Sequence, residues 1–164
     1  MHGQKLDEID IRILELMQKQ GRIKRGILAE VTGLTIPSIS ERLNKLEEFG
    51  FIKGYHAVLD STKVGLGVSA FIFLTSESSK YYPEIIKKAT ARDEILECHA
   101  ITGDGSHLLK VRVQTTAELE KLLGDIQSWP GVKNTRTDIV LSSPKEGIEL
   151  PLKHLRNELP KQDV

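Results

Sequence analysis

The chain is poor in cysteine and tryptophan, with one of each in 164 residues, and it carries no net charge: Lys+Arg and Asp+Glu both total 23. A lone thiol, Cys98, excludes an intrachain disulfide. With no second thiol or histidine cluster beside it, it builds no zinc site. It lies in a largely apolar run and reads as a small core residue. The balanced charge gives no bulk attraction to nucleic acid or membrane, so any basic site must be local. No run approaches the roughly 18 apolar residues of a membrane-crossing helix. The opening MHGQKLDEID has no hydrophobic signal region. A soluble, cytoplasmic protein is expected. The five histidines (His2, His56, His99, His107, His154) are scattered without metal-ligand spacing. There is no phosphate-cradling loop; Gly65 and Gly67 alone do not make one. No metal, cofactor or catalytic group is expected.

What is present is helical periodicity followed by strand periodicity. Asp7 is placed as an N-cap with Asp10 three residues on, close to a capping box. Ile9, Ile13, Leu16 and Met17 then recur at helical spacing. Gly21 is the natural stop. A second helix is predicted over 25–32, with Gly33 ending it. The third, within LTIPSISERLNKLEEFG, starts with residues that are awkward in a helix interior. Their position explains them. Thr35 caps through its hydroxyl, and Pro37 falls in the first turn, where its missing N–H has no helical partner to lose. At about 100° per residue, Ile39, Leu43 and Leu46 share one face with Ile36 beside them. Ser38, Glu41, Arg42 and Lys45 point elsewhere, and Ser40 and Asn44 lie on a third side. Gly50 ends the helix, and 51–59 reads as one or two short strands around Gly54.

Three short helices and a strand pair make a winged helix-turn-helix. A short, donor-rich helix end suits insertion into a major groove, with hydroxyls and N–H groups on phosphate and Arg on base edges. Over 1–60 the charges balance. Between Arg22 and Lys45, five basic residues (Arg22, Lys24, Arg25, Arg42, Lys45) face two acids (Glu30, Glu41). The excess falls on the turn and recognition segment, and favours DNA binding over the adaptor role that winged helices also serve. Thr35, Ser38, Ser40, Arg42 and Lys45 are the candidate groove-facing residues. Arg22, Lys24, Arg25 and Lys53 are placed for backbone phosphates. Arg42 is the expected base reader.

The second half changes character. Strands are predicted over 68–75, 95–102, 107–114 and 132–141, and helices over 82–91 and 116–129, the latter capped by Thr115 or Thr116. The order βαββαβ is the ferredoxin-like arrangement. The sequences ARDEILECHAI and SWPGVKNTRTDI follow the two helices as a weak internal repeat. Both helices on one side leave a bare sheet face, expected to carry Phe71, Phe73, Ile95, Leu96 and Ile101 and to be covered by a second subunit. The α+β chain therefore divides into a winged helix-turn-helix domain (1–60), a linker (61–67), a ferredoxin-like effector and dimerisation domain (68–142) and a tail (143–164). In the tail, IELPLKHL is expected to pack on a neighbour or the sheet, or to fray.

In order along the chain, these residues resemble the leucine-responsive regulatory protein and AsnC (Lrp/AsnC) family. Leu6-Asp7-Glu8-Ile9-Asp10 with Ile13-Leu14 is similar to the family opening LDxxDxxIL. Gly33-Leu34-Thr35 with Pro37, Ile39 and Arg42-Leu43 resembles the recognition helix. Gly54-Tyr55 and Leu59-Asp60 resemble the wing. Thr102-Gly103, Pro130-Gly131-Val132 and Thr135-Arg136-Thr137 resemble the effector domain. The resemblance implies a transcription regulator on double-stranded DNA. It also implies a homodimer formed through the second-domain sheets, assembly to octamers or related rings, and a strand near 55–60 linking the domains. A small effector, commonly an amino acid, is implied at a cleft between dimers. Gly103, Asp104, Gly105, Ser106, Thr135 and Thr137 are the implied effector contacts. The chain departs from the family there: the loop usually reads Gly-x-x-Asp, and Ser106 stands at the final Asp. A plain hairpin turn using Gly103 and Gly105 for unusual backbone angles is the alternative. Some proteins of similar architecture decarboxylate haem precursors with histidines, for which His99 and His107 are the candidates. A strand histidine is more often structural, and an enzyme is not expected.

Overall fold

The computed structural model describes residues 5–157. His2 and Pro160 fall outside the described residues. The chain divides into two compact units, residues 1–58 with 145–164, and residues 59–144.

In the first unit α1 (Glu8–Lys19), α2 (Arg25–Thr32) and α3 (Ile36–Glu48) surround a core of Ile13, Leu28, Ala29, Ile39, Leu43 and Leu46. The capping box of α1 is complete. Asp7 Oδ1 accepts the amide of Asp10 at 2.8 Å, and Asp10 Oδ2 accepts the amide of Asp7 at 3.2 Å. Gly33 closes α2 in the left-handed conformation at φ 72°, which a side chain adopts only at a cost. The strands expected over 51–59 are absent: the backbone bends after α3 and pairs with no strand. A strand exists only beside another that takes its N–H and C=O groups, and the three helices offer none. Among the described tail residues, Leu150 and Arg156 meet α1. Leu150 exchanges both main-chain hydrogen bonds with the Gln18 amide, N to Oε1 at 2.6 Å and Nε2 to O at 3.2 Å. From α6 (Lys153–Asn157), Arg156 reaches Glu8 at 2.8 Å and Glu15 at 3.0 Å. Those partners lie more than 130 positions away, so local pattern could not name them.

In the second unit β1 (Val68–Ser76), β2 (Ile95–Ala100), β3 (His107–Val113) and β4 (Val132–Ile139) form an antiparallel sheet in the order β2-β3-β1-β4. Ala70, Ile72 and Leu74 of β1, with Leu109, Val111 and Val113 of β3, pack against two helices. These are α4 (Tyr82–Thr90), through Ile85 and Ala89, and α5 (Thr116–Gln127), through Leu119, Leu122 and Ile126. Thr115 caps α5 by accepting the amide of Glu118. The opposite face carries Phe71, Phe73 and Leu108 among Lys110, Arg136 and Asp138, and the Arg136 guanidinium lies 4.1 Å over the Phe73 ring. Ile95 does not belong to that face. It pairs with Val111 and packs into the helix-side core, because a bulge between Ile95 and Glu97 breaks the alternation.

Candidate nucleic-acid interface

The front of α3 is built by its cap. Thr35 Oγ1 accepts the amide of Ser38 at 3.3 Å, and the two hydroxyls lie 2.9 Å apart. Behind them Ile39, Leu43 and Leu46 anchor the helix in the core. Ile36, in the first turn, stays 53% exposed. The Ser40 hydroxyl donates to the carbonyl of Ile36 at 3.0 Å, so that side chain turns back along its own helix. Lys45 Nζ lies 2.7 Å from Glu41 Oε1, one turn earlier, and both side chains are exposed. That ammonium, by hydrogen bond and charge, holds the Glu41 carboxyl below its usual range. Such a surface pair is worth little and exchanges readily for another anion. Arg22, Lys24 and Arg25 are exposed at the entry to α2, and Lys53 is exposed beyond α3.

Arg42 is placed differently from its neighbours. Its Nη1 lies 2.7 Å from Asp7 Oδ2 and 2.7 Å from Asp10 Oδ1. Burial alone would raise the Asp7 carboxyl, but the amide of Asp10 and the Arg42 guanidinium bring it below the usual carboxylate range. Burial likewise opposes the charged guanidinium, yet its two carboxylate partners raise its affinity for the proton. A polar cleft of about 400 Å³ runs beside these groups, lined by Lys5, Asp10, Ser38, Arg42, Lys45 and Phe51 among others. Further along, the Tyr55 hydroxyl donates to Glu47 Oε1 at 2.7 Å. Burial, then that carboxylate, push the phenol up to about 12. Tyr55 and the Asp7/Asp10 pair were not legible as partners of α3. The only signal was two acids at capping spacing, each with one oxygen left over.

In the second unit the loop 103–106 joins β2 to β3. Gly103 sits at φ 106°, as the hairpin reading expects, whereas Gly105 has no positive φ. The Ser106 hydroxyl is fully engaged: it donates to Leu74 O at 3.0 Å, accepts the amide of Ser76 at 3.1 Å and meets His107 Nδ1 at 3.0 Å. The carbonyl of Asp104 accepts from the Thr75 hydroxyl at 3.3 Å. Thr135 and Thr137 pair opposite Leu74 and Ile72, on the helix side of the sheet, and Thr135 accepts from Gln127 at 2.9 Å. His107 is fully buried, edge-on to Tyr82. His99 is exposed, pairs opposite Leu108 and lies 3.0 Å from Glu97. The two histidines therefore lie on opposite faces of the sheet and form no joint site. Among the described residues no group of three or more His, Cys, Asp or Glu is placed to hold a metal.

A trihelical head with a capped recognition helix, and a four-stranded α+β body, define a DNA-binding regulator with an effector domain. The comparisons with known proteins agree. A model of winged helix-turn-helix DNA-binding domains matches residues 6–53, and one of the Lrp/AsnC ligand binding domain matches residues 69–150. The chain is 38% identical over 148 residues to the HTH-type transcriptional regulator FL11 of Pyrococcus abyssi, covering 90% of this chain and 97% of that one. It is 36% identical over 156 residues to the leucine-responsive regulatory protein of Escherichia coli, covering 92% and 94%. Its fold matches the complex of transcriptional regulator NMB0573 of Neisseria meningitidis with L-Met, at a TM-score of 0.86 and 31% identity, covering 92% and 99%. It also matches E. coli AsnC, at 0.83 and 29%, covering 89% and 99%. The chain belongs to the Lrp/AsnC family of DNA-binding transcription regulators.

Proposed function

We propose that this regulator reads duplex DNA with the front of α3 as a homodimer, and that a small effector acts on its assembly. The observation that carries the reading is the exposed, Thr35-capped front of α3, with Arg22, Lys24 and Arg25 exposed at the entry to α2 of the same unit. Ser38 and Lys45 face the groove from α3 itself. Arg22, Lys24, Arg25 and Lys53 hold phosphates. Thr35 and Ser40 are hydroxyl contacts at the helix front, and Arg42 is already engaged by two carboxylates of its own unit, as Lys45 is by one. Phe71, Phe73 and Leu108 on the open sheet face support pairing with a second copy, and assembly of such dimers to octamers is part of the proposal. Pseudo-palindromic sites follow, with half-sites about one helical turn or a multiple apart.

The effector reading rests on the loop 103–106 and on the amino acid held by the Neisseria relative. An amino acid bound in a cleft between dimers would favour one arrangement of subunits over another. Gly103, Asp104, Gly105 and Ser106, with Thr135 and Thr137, are its proposed surroundings. With Ser106 committed to main chain, Asp104 is the carboxylate available to an α-ammonium group. The curated relatives are transcriptional regulators, which supports a non-enzymatic role in the cytoplasm. Selection of bound duplexes from a random pool tests the DNA reading: an enriched, two-fold symmetric motif is expected, and no enrichment overturns it. Calorimetry against the common amino acids, with Asp104→Ala as control, tests the effector reading. Heat with none of them leaves the loop as plain structure.

A further inference from the structure

In the first turn of α1, two carboxylates present four oxygens. The capping box uses one oxygen from each: Asp7 Oδ1 for the amide of Asp10, and Asp10 Oδ2 for the amide of Asp7. The remaining two, Asp7 Oδ2 and Asp10 Oδ1, converge on a single nitrogen, Arg42 Nη1, each at 2.7 Å. Every oxygen of the pair is thus satisfied, and the cation comes from the middle of α3, more than 30 positions away. The Asp10 side chain is only 14% exposed and that of Arg42 29%.

We infer that Arg42 is a positioning residue, not a base reader: it clasps the recognition helix to the capping box of α1 and sets the angle at which α3 meets the duplex. The inference rests on the reading of α3 as the recognition element. Two physical arguments favour it over a base contact. An Arg that reads guanine spends its N–H fork on the base. Both carboxylates hold Nη1, so a fork that includes Nη1 would abandon them, one of them largely buried, and an uncompensated buried charge is costly. Those acids would then stand bare beside a polyanion. Paired, the trio carries one net negative charge instead of two. A charge-assisted bridge from the first turn of α1 to the middle of α3 is also directional, because both carboxylates are held in place by main-chain amides.

The test uses the full chain and the duplex that the wild type selects. Arg42→Ala, Asp10→Asn and the double variant are compared at a temperature where each is fully folded by circular dichroism, so that lost stability does not enter. Expected are roughly tenfold weaker binding for each single variant, a double variant no weaker than the worse single, an unchanged selected motif, and partial rescue by Arg42→Lys. The arginine side-chain NMR signals of Arg42 should keep their positions when duplex is added. The inference is overturned if Asp10→Asn tightens binding, as freeing a base-reading Arg and removing an acid would do. Relaxed preference at one base pair in Arg42→Ala also overturns it. If Arg42→Ala does not fold, Asp10→Asn alone still decides by the sign of its effect. A wild type that selects no duplex removes this inference together with the DNA reading. A wild type that selects one while Arg42→Ala and Asp10→Asn bind unchanged removes the inference alone.

Discussion

Ser106 holds the carbonyl of Leu74 twice, with its amide at 2.8 Å and its hydroxyl at 3.0 Å. The same hydroxyl accepts from the amide of Ser76, and its remaining lone pair faces His107 Nδ1. All of these contacts are satisfied when His107 is neutral with its proton on Nδ1. Its Nε2 is then a buried atom with no partner. Burial lowers the His107 pKa from its ordinary value of 6.5, since a proton on Nε2 would find no acceptor. The unfolded chain takes up that proton near pH 6.5 and the native chain does so only lower. This contribution to stability is complete above 6.5 and is lost as pH falls below it. Thermal unfolding should show a lower midpoint at pH 5 than at pH 7.5, and His107→Gln should flatten the slope between them. An unchanged slope would show that the buried imidazole is not the group responsible.

Ser106→Ala would leave the amide of Ser76 without its acceptor. A loss of about 1–3 kcal/mol is expected, read by urea unfolding. A smaller loss would mean that water replaces the hydroxyl.

Gly131 precedes β4 at φ 79°, and a Cβ there would lie 2.0 Å from the Tyr81 ring. Gly131→Ala combines an unfavourable backbone conformation with overpacking and should cost roughly 2–4 kcal/mol. Gly131→Ala with Tyr81→Ala should recover most of the overpacking part, leaving the backbone part. Equal losses with and without the Tyr81 ring would contradict the clash.

Lys45→Ala should weaken binding to every duplex alike and reduce the slope of log affinity against log salt by about one ion. A change in base preference instead would make Lys45 a reader of sequence.

Phe73→Asp places a carboxylate in the apolar centre of the open sheet face. If that face pairs two copies, light scattering should show the variant at half the wild-type mass or less. A wild-type mass would place the contact elsewhere.

Gln18→Ala removes both hydrogen bonds that hold the main chain of Leu150. Faster amide exchange at Leu150 is expected, with the exchange of the α3 core unchanged. Exchange at Leu150 as slow as in the wild type would show that other contacts hold the tail.

What the linear order settled by itself was local. Asp7 with Asp10, Thr35 before Pro37, Thr115 before α5 and Gly33 after α2 each act within a turn of their own position. The helices and the four strands of the second unit were therefore readable from period and punctuation. What only the tertiary structure decided were pairings between distant groups. Arg42 found two acids already oriented by α1, the tail found Gln18, and a bulge turned Ile95 towards the helices. Residues 51–59 have strand-like composition, but composition supplies no neighbour to take their hydrogen bonds. An arginine on a polar helix face has the same local signature whether it meets DNA or a carboxylate. Only the position of the facing oxygens separates the two.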